Sequence, residues 1–419
     1  MLSGRSLASL RYRNFRLIWA GLLLSLTGSS MQNAALLWHI SLLVPPDRKG
    51  LALGLVGLVR VAPVVFFSLL SGLVADAMDR RRVLLVTQVL AAVVALALAL
   101  VSFEGVTALW PIYLLAAAGA AVSAFDLPAR QALLPSLVPR EHLPDAISLN
   151  SIMFQTASVA GPALGGALIA AGDVGLAYVS NAVSFGFVIV ALLLMREVPR
   201  RVDAPGASSQ RDGLSVAAAR EGVQFVFRSP LIRSTMLLDF MATFLSSATA
   251  LLPMFAQDVL HVGARGYGWL FAAPALGAFV TSVALVRLVE HIDRRGLALL
   301  WSVAGYGCAT VVFGVSRSFW LTFACLALTG ATDTVSTVIR NIIRQLETPD
   351  RLRGRMMGIN MAFFQGGPQL GELEAGAVAH WLGAPFSVVS GGALCLVATG
   401  WITASTPTIR RYRRDGSSV

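Results

Sequence analysis

Long runs of apolar residues, separated by short polar or charged stretches, recur from one end of the chain to the other. Each run approaches the ~20 residues that an α-helix needs to cross the hydrocarbon core of a bilayer. The pattern predicts an all-α membrane protein with twelve transmembrane helices. The predicted spans are residues 15–43, 51–75, 82–103, 110–127, 146–171, 174–195, 234–258, 267–289, 297–316, 318–341, 356–382 and 384–405.

The composition agrees with this interpretation. Hydrophobic residues make up 56% of the 419 residues, charged residues make up 13%, and the mean hydropathy is +0.72. A soluble domain carries about 25% charged residues, so these values are typical of a multi-pass membrane protein. The first apolar run follows three arginines, as in a secretory signal peptide, but its length and the spans after it predict a retained helix.

Basic residues are distributed unevenly between the two ends of the predicted spans. The net charge is +11, and 28 of the 33 basic residues lie inside if the N-terminus is placed inside. Arg48, Lys49, Arg265 and Arg317 lie outside, and Arg60 lies within a span. This asymmetry follows the positive-inside rule and predicts cytoplasmic termini, in a bacterial inner membrane. We therefore expect the basic residues to orient the protein and meet the lipid bilayer, not nucleic acid.

Residues 196–233 interrupt the apolar rhythm and divide the chain into two halves of six predicted spans each. They contain the charged sequence VPRRVDAPGASSQRDG and then LSVAAAREGVQFVF, whose helical spacing predicts a helix on the inner membrane face. The predicted organisation is a six-helix bundle at 1–195, the linker at 196–233, a second six-helix bundle at 234–405 and a basic cytoplasmic tail at 406–419.

The two halves resemble each other in sequence. A shift of 210 residues superposes seven identical residues. Parallel repeats of this kind are related by an axis normal to the membrane and place a substrate site at their interface. The superposed pairs are Arg130 and Arg340, Pro139 and Pro349, Asn150 and Asn360, Phe154 and Phe364, Gln155 and Gln365, Gly161 and Gly371, and Gly166 and Gly376.

The loop after the second predicted span reads GLVADAMDRRRVLL and combines a glycine, an acid and a basic cluster. Gly72 allows a neighbouring helix to approach closely, and Asp76 can pair with an arginine or a helix N-terminus. With Arg80 and Arg81 of the basic cluster, they are candidate gating residues. The alternative is a positively charged turn with one ordinary acid.

The fifth predicted span contains ASVAGPALGGALIA. Pro162 removes one backbone hydrogen bond, and Gly161, Gly165 and Gly166 leave a flat helix face. These four residues are further candidate gating elements. The alternative is a kinked, close-packed membrane helix with no further role.

Together, these motifs make the chain similar to the major facilitator superfamily. GLVADAMDRRR resembles the loop motif between helices 2 and 3 of that superfamily, and AGPALGG resembles its proton-antiporter motif in helix 5. RNFRLIWAGLLLSLTGSSMQ, DLPARQALLPSLVP and RGRMMGIN resemble the branch of enterobactin and macrolide exporters. The resemblance implies a monomer that works by alternating access. The sequence departs from many proton antiporters in helix 4, where YLLAAAGAAVSAF lacks an arginine, and in the second loop copy, where Val286 replaces the glycine.

In this superfamily helices 1, 4, 7 and 10 line a central cavity, and three of the corresponding spans carry polar stripes. Residues three, four or seven positions apart share a helix face. The fourth span carries few polar residues before Asp126. The stripes predict a cavity for a small amphipathic compound that is not strongly cationic. They consist of Ser25, Ser29, Gln32 and His39 in span 1, Asp239, Thr243 and Ser246 in span 7, and Asp333, Ser336, Thr337 and Arg340 in span 10.

Two glutamates stand in the otherwise apolar sequence GPQLGELEAGAVAHWL of the eleventh span. They lie about 200° apart around a helix, so they face different surroundings. Glu372 shares a polar face with Gln365 and Gln369, and is expected to meet the cavity. Glu374 shares a face with Gly371 and is expected to meet a neighbouring helix. A carboxyl group in apolar surroundings favours its protonated form, so both are candidates for proton coupling.

Asp239 and Asp333 are the other candidate proton-coupling residues, because acids within membrane spans mark functional sites by default. For Asp333 the alternative is a structural ion pair with Arg340 or Arg344.

Arg60 lies within the second span and needs a charged partner or water. At 1.5 Å per residue it lies ~13 Å from the outer end, and Glu374 and Glu372 lie at ~12 Å and ~15 Å. In this fold helix 2 packs against helix 11 of the other half, so Arg60 is expected to pair with one of these glutamates as an outer gate. The alternatives are that Arg60 extends to the outer surface or caps the bend at Pro63.

The sequence contains no Walker loop, HExxH or CxxC motif, and its three cysteines lie in apolar runs. We therefore expect no enzyme activity, no metal and no cofactor, with the protonmotive force as the energy source. The expected function is proton-coupled export of a small amphipathic compound, such as a drug, a siderophore or a metabolite. The alternatives are a proton-linked importer on the same fold and a non-transporting membrane sensor.

Overall fold

The structure, a computed structural model, describes residues 8–196, 221 and 224–414, without the side chains of residues 68–77 and of most of residues 350–365. This described part of the chain contains twelve long α-helices and no β-strand. The helices are α1 (Arg13–Leu43), α2 (Lys49–Ala77), α3 (Arg80–Phe103), α4 (Trp110–Leu133), α5 (Leu143–Ala171), α6 (Val174–Leu194), α7 (Pro230–Leu245), α8 (Gly263–Leu288), α9 (Arg295–Val315), α10 (Phe319–Glu347), α11 (Asp350–Leu382) and α12 (Ala384–Ser405), followed by the short α13 (Pro407–Arg411).

Ten helical segments of the described residues are long and apolar enough to cross a membrane, so the chain is a multi-pass membrane protein. They are α2 to α6, α7 with the residues after it, α8, α9, α10 and α12. Helices α1 and α11, with 31 and 33 residues, are also long but more polar; Ser25 and Gln32 lie on α1, and Glu372 and Glu374 lie on α11. The count of twelve transmembrane helices stays a prediction.

The seventh predicted span, residues 234–258, is not one continuous helix. Helix α7 ends at Leu245, and a 3₁₀ turn at Thr249–Leu251, one α-helical turn at Leu252–Met254 and a π-helical turn at Phe255–Val259 follow it. The Ser246 hydroxyl donates to a carbonyl oxygen of α12 at 3.4 Å, and the Ser247 hydroxyl donates to one of α11 at 3.2 Å. The apolar composition of this span conceals the break, because the break depends on partners far away in sequence.

Short loops between helices are fixed by acidic residues at helix starts. Asp79 accepts a hydrogen bond from the backbone N–H of Arg81 at 2.9 Å and begins α3. Asp173 does the same for Gly175 at 2.5 Å and begins α6. Side-chain acceptors at this position satisfy backbone N–H groups that have no partner within the helix. Both acids therefore determine where a helix starts.

The helices form two compact units. The first contains α1 to α6 and residues 252–272, and the second contains α7, the remainder of α8 and α9 to α13. The predicted second bundle, 234–405, includes residues 252–272. These residues therefore belong to the second half of the sequence but pack in the first unit. Of the predicted linker helix, residues 221 and 224–228 are described and helical.

Each unit has its own apolar core, built from one face of several helices. The first core includes Phe15, Ile18 and Leu22 of α1, Leu84 of α3, Leu133 of α4, Met153 of α5 and Leu192 of α6. The second core includes Leu238 of α7, Leu299 and Val303 of α9, Ile339 and Ile343 of α10, Ile402 of α12 and Ile409 of α13.

Candidate functional site

A buried group of charged side chains lies between α7 and α10 in the second unit. Arg340 Nη2 is 3.0 Å from Asp239 Oδ1, and Arg344 Nη2 is 3.4 Å from Asp239 Oδ2. The side chains of Asp239 and Arg340 are 5% and 2% exposed. Positions four apart share a helix face, so α10 directs both arginines at one carboxylate of α7. Burial of charges at membrane depth is costly unless they are paired, and this arrangement provides the pairing.

Arg344 makes further contacts with α7 and also contacts α11. Its Nη2 atom donates to the backbone oxygen of Thr235 at 3.1 Å, its Nε atom donates to the Thr235 hydroxyl at 3.4 Å, and its Nη1 atom donates to Asn360 Oδ1. Because partners on α7 and α11 occupy all of these donors, Arg344 is a fixed element of the group.

Arg340 is shared between two carboxylates that differ in accessibility. Its Nη2 atom lies 3.5 Å from Asp333 Oδ1, and the Asp333 side chain is 44% exposed. Thr337 Oγ1 also accepts a hydrogen bond from this nitrogen, at 2.8 Å. Arg340 Nε and Nη1 are buried without a hydrogen-bond partner among the described residues. The predicted alternative for Asp333, an ion pair with Arg340, is therefore present, and Arg340 retains unused donor capacity.

A second acid, the partly buried Asp126 of α4, lies in the first unit. Its Oδ1 atom accepts hydrogen bonds from Thr87 Oγ1 at 3.0 Å and Gln88 Nε2 at 2.8 Å, and its Oδ2 atom is 4.0 Å from Arg130 Nη1. The Ser25 hydroxyl donates to Gln88 Oε1 at 3.5 Å. The polar pair Thr87-Gln88 within an apolar run was the one available signal, and sequence reasoning did not connect it to Asp126.

Lys49, counted as an outer loop residue in the sequence, is the first residue of α2 and is buried. Its Nζ atom donates to Gln257 Oε1 at 2.8 Å and to Asp258 Oδ1 at 3.1 Å. Gln257 Nε2 in turn donates to the Ser41 hydroxyl of α1 at 2.8 Å. These four residues, which we call the Lys49 cluster, attach the π-helical turn to α1 and α2. Sequence reasoning missed the cluster.

The glycines of the fifth span permit close helix contacts in the first unit. A Cβ atom on Gly161 would lie 2.5 Å from a backbone oxygen of α1, and one on Gly165 would lie 2.9 Å from a side chain of α1. A Cβ atom on Gly166 would lie 2.8 Å from the Cα of Gly268 in α8, and one on Gly268 would lie 2.5 Å from the oxygen of Pro162. The motif therefore joins α5 to α1 on one side and to α8 on the other.

Four predicted cavity residues use their polar groups within their own unit. Gln32 Oε1 accepts a hydrogen bond from Asn181 Nδ2 at 2.8 Å. The Thr243 hydroxyl donates to the backbone oxygen of Asp239 at 2.8 Å. The Ser246 hydroxyl donates to the backbone oxygen of Gly391. Ser25 is engaged with Gln88, as described above. Their roles in a cavity stay predictions.

The remaining predicted cavity and coupling residues are Ser29, Gln365, Gln369, Glu372 and Glu374. Ser29, Glu372 and Glu374 are partly buried. Gln369 Oε1 is buried without a hydrogen-bond partner in the described part of the chain. The side chain of Gln365 lies outside the described residues. Proton coupling through either glutamate stays a prediction.

The predicted gating arginines contact neighbouring helices of the first unit. Arg60 Nη2 donates to Asn33 Oδ1 of α1 at 3.0 Å. Arg80 Nη1 donates to the backbone oxygen of Ala132 at 2.8 Å, and Arg81 Nη2 donates to a backbone oxygen at the end of α6 at 3.3 Å. Arg80 and Arg81 thus attach the start of α3 to the ends of α4 and α6. The pairing of Arg60 with a glutamate of α11 stays a prediction.

The other two predicted gating residues, Gly72 and Asp76, lie in the last turns of α2. Their side chains lie outside the described residues, so their predicted roles stay predictions.

Comparisons with known proteins agree with the fold and the motifs. A family profile described as transmembrane secretion effector matches residues 4–413. The enterobactin exporter EntS of Shigella boydii serotype 18 is 28% identical over 351 residues, which cover 84% of this chain and 82% of that protein. The same exporter from Escherichia coli O1:K1 is 27% identical over the same lengths.

Solved structures of transporters share the fold. An inward-facing bacterial homologue of the human lysosomal transporter Spinster has a TM-score of 0.73 at 14% identity, covering 94% of this chain and 97% of that chain. An inward-facing bacterial homologue of the iron transporter ferroportin has a TM-score of 0.69 at 18% identity, covering 94% and 98%. These findings confirm the resemblance: the chain belongs to the transmembrane secretion effector family of the major facilitator superfamily, a family of transporters and not of enzymes.

Proposed function

We propose that this chain is a proton-coupled exporter of a small amphipathic compound, working by alternating access in a bacterial inner membrane with both termini in the cytoplasm. The similarity to enterobactin exporters supports export. The excess of basic residues on one side of the predicted spans supports the orientation. The protonmotive force then provides ~2.3 kcal/mol per charge per 100 mV of membrane potential, in addition to the pH difference.

The observation that carries the proposal is the sharing of Arg340 between Asp333 and Asp239. Asp333 lies near the middle of α10 and is partly exposed, whereas Asp239 is buried. A proton can therefore reach Asp333 more readily than Asp239. Protonation of Asp333 would remove one of the two charges that compensate Arg340, so that Arg340 would rely on Asp239 alone. A single proton would thereby alter the electrostatics of a group that joins α7 to α10.

Substrate and proton compete in this scheme. A substrate group that donates a hydrogen bond to the Asp333 carboxylate cannot bind in the same way once that carboxylate carries a proton. Mutually exclusive occupancy of this kind is the requirement for antiport, because an inward-moving proton must replace an outward-moving substrate. Asp239 and Arg344 hold α7 and α10 together, while the Asp333 carboxylate binds the proton and the substrate in turn. Glu372 and Glu374 remain alternative proton carriers within the same proposal.

Transport in proteoliposomes tests the proposal. The full-length protein is reconstituted with an internal pH-sensitive dye, and proton flux is measured across a compound panel that begins with enterobactin. We expect at least one compound to move against its gradient when a pH difference is imposed, with opposite proton movement. Asp333→Asn should abolish this uphill movement and retain downhill exchange. Asp47→Asn, which removes the same charge from an exposed loop, is the matched control.

Three results would contradict the proposal. Proton and compound moving in the same direction would indicate an importer. Uphill transport by Asp333→Asn at the wild-type rate would show that Asp333 does not carry the coupling proton. Glu372 or Glu374 would then be the proton carrier. An absence of flux for every compound, together with compound binding measured by calorimetry, would favour a membrane sensor.

A further inference from the structure

A cluster of arginines covers the ends of three membrane-spanning segments in the second unit. The segments Gly263–His291 and Ala384–Ser405 end beside it, and Arg295–Val315 begins in it. Residues 287–295 and 410–414 contribute seven arginines and two acids, so five positive charges lack an acidic counterpart in these stretches. We call these two stretches the arginine cluster.

Backbone contacts hold the two stretches together. Ile409 and Tyr412 are buried. The N–H of Gly296 donates to the backbone oxygen of Tyr412 at 3.1 Å, and the N–H of Arg414 donates to the backbone oxygen of Asp293 at 2.9 Å. A Cβ atom on Gly296 would collide with the backbone oxygen of Ile409, so this close approach requires glycine. The segment after α12 is therefore docked at a defined place on the start of α9.

Docking fixes the positions of the arginines that flank the anchored residues. Arg411 and Arg413 adjoin the buried Tyr412 and are exposed, and Arg294 is exposed beside them on the loop before α9. Within the described part of the chain, Glu290 and Asp293 form no ion pair with these arginines. Arg414 Nη1 instead donates to the backbone oxygen of Glu290 at 2.5 Å. Among the described residues, the guanidinium groups thus form a concentrated surface with an excess of positive charge.

We propose that the arginine cluster is a binding site for the headgroups of anionic phospholipids. A phosphodiester offers planar pairs of oxygens that match the donor fork of a guanidinium group. The cluster lies where membrane spans end, so the bilayer itself presents these phosphates to it. Val286 and Trp401, near the ends of two of these spans, are exposed apolar side chains that can lie against acyl chains. This combination favours a lipid over a soluble anion. The proposal does not depend on the transported compound.

Native mass spectrometry of the purified full-length protein tests the proposal. The protein is extracted from vesicles with equal amounts of phosphatidylglycerol and phosphatidylethanolamine, and the retained lipids are counted. The test variant is Arg410→Gln, Arg411→Gln and Arg413→Gln together. The control is Arg11→Gln, Arg13→Gln and Arg16→Gln together, which removes the same charge from exposed positions at the start of α1. We expect the test variant to lose its preference for phosphatidylglycerol several-fold and the control to keep it.

Gly296→Val separates the docking from the charge, because it keeps every arginine and displaces the segment that Gly296 contacts. We expect the same loss of lipid preference, in protein that remains monodisperse in size-exclusion chromatography. If that variant does not fold, the arginine test variant and its control alone decide the proposal. Equal phosphatidylglycerol retention by the arginine test variant and its control would overturn the proposal. Displacement by inorganic phosphate as effective as by short-chain phosphatidylglycerol would also overturn it, in favour of a general anion site.

Discussion

Lys49, the single lysine of the chain, forms an ion pair with Asp258, although the two residues lie 209 positions apart in sequence. The Lys49 side chain is 9% exposed and that of Asp258 is 43% exposed. The pair belongs to the Lys49 cluster, which attaches the π-helical turn at Phe255–Val259 to α1 and α2. Residues 252–272 are thereby held in the first unit, beside the contact of Gly166 with Gly268. We therefore predict that the Lys49 cluster must open when this segment moves during transport.

Amine labelling of Lys49 reports this opening directly, because the N-terminus is the other amine of the chain. Asp258→Asn removes the charge that holds Lys49. A hydrogen bond to a charged group contributes about 1.5–3 kcal/mol, so we expect labelling by a membrane-impermeant reagent to be about tenfold faster or more. The measurement is mass spectrometry of the peptide that contains Lys49.

Asp47→Asn is the control for this experiment, because Asp47 lies two residues from Lys49 and is exposed. Its labelling rate should equal that of the wild type. If Asp258→Asn and Asp47→Asn label at the same rate, the ion pair does not restrain Lys49.

Gly166→Ala should weaken the contact between α5 and α8. The added Cβ atom would lie 2.5 Å from the backbone oxygen of Ala264 and 2.8 Å from the Cα of Gly268, and backbone atoms cannot rotate away. Overpacking of this kind costs about 1–3 kcal/mol, so we expect a lower Tm in detergent and faster labelling of Lys49. Gly186→Ala is the control, since no heavy atom lies within 4 Å of its added Cβ. Equal effects of the two substitutions would show that the contact does not contribute to stability.

Asp239→Asn should destabilise the protein far more than Asp333→Asn. The first substitution leaves two buried arginines without their shared carboxylate, and breaking a buried pair costs about 3–5 kcal/mol. The second substitution removes one ion-pair contact of a partly exposed acid. An exposed ion pair contributes about 0–1 kcal/mol to stability. Thermal unfolding followed by tryptophan fluorescence measures the difference. Adding Arg340→Gln to Asp239→Asn should restore part of the lost Tm; equal Tm values for the two single variants would contradict this assignment of roles.

Asp126→Leu should destabilise the first unit more than Asp126→Asn. Leucine leaves the Gln88 Nε2 donor without its Asp126 acceptor, whereas the Thr87 hydroxyl can still donate to the backbone oxygen of Leu84 at 3.0 Å. An unsatisfied buried polar group costs about 1–3 kcal/mol. Asparagine keeps one acceptor oxygen at this position. We expect Tm to fall in the order wild type, Asp126→Asn, Asp126→Leu. A leucine variant as stable as the asparagine variant would indicate that water satisfies the Gln88 donor.

The sequence by itself determined the membrane class, the superfamily and the position of most helices. Apolar length and charge distribution suffice for these features, because a bilayer imposes the same requirement on every spanning helix. Helical spacing alone also placed Asp333 and Arg340 on one face of a single helix, where the structure brings their side chains to 3.5 Å. Such contacts are local, and a regular helix defines their geometry.

The tertiary structure alone decided which distant residues meet. Asp239 lies beside Arg340 because α7 and α10 pack together, and Lys49 lies beside Asp258 because residues 252–272 pack in the first unit. The break after Leu245 likewise depends on carbonyl groups of α11 and α12. Neither hydropathy nor periodicity carries information about these partners, because each polar residue could pack against any of several neighbouring helices. These pairings are determined by packing, because buried charges and hydroxyl groups need partners that offset the cost of losing their contacts with water.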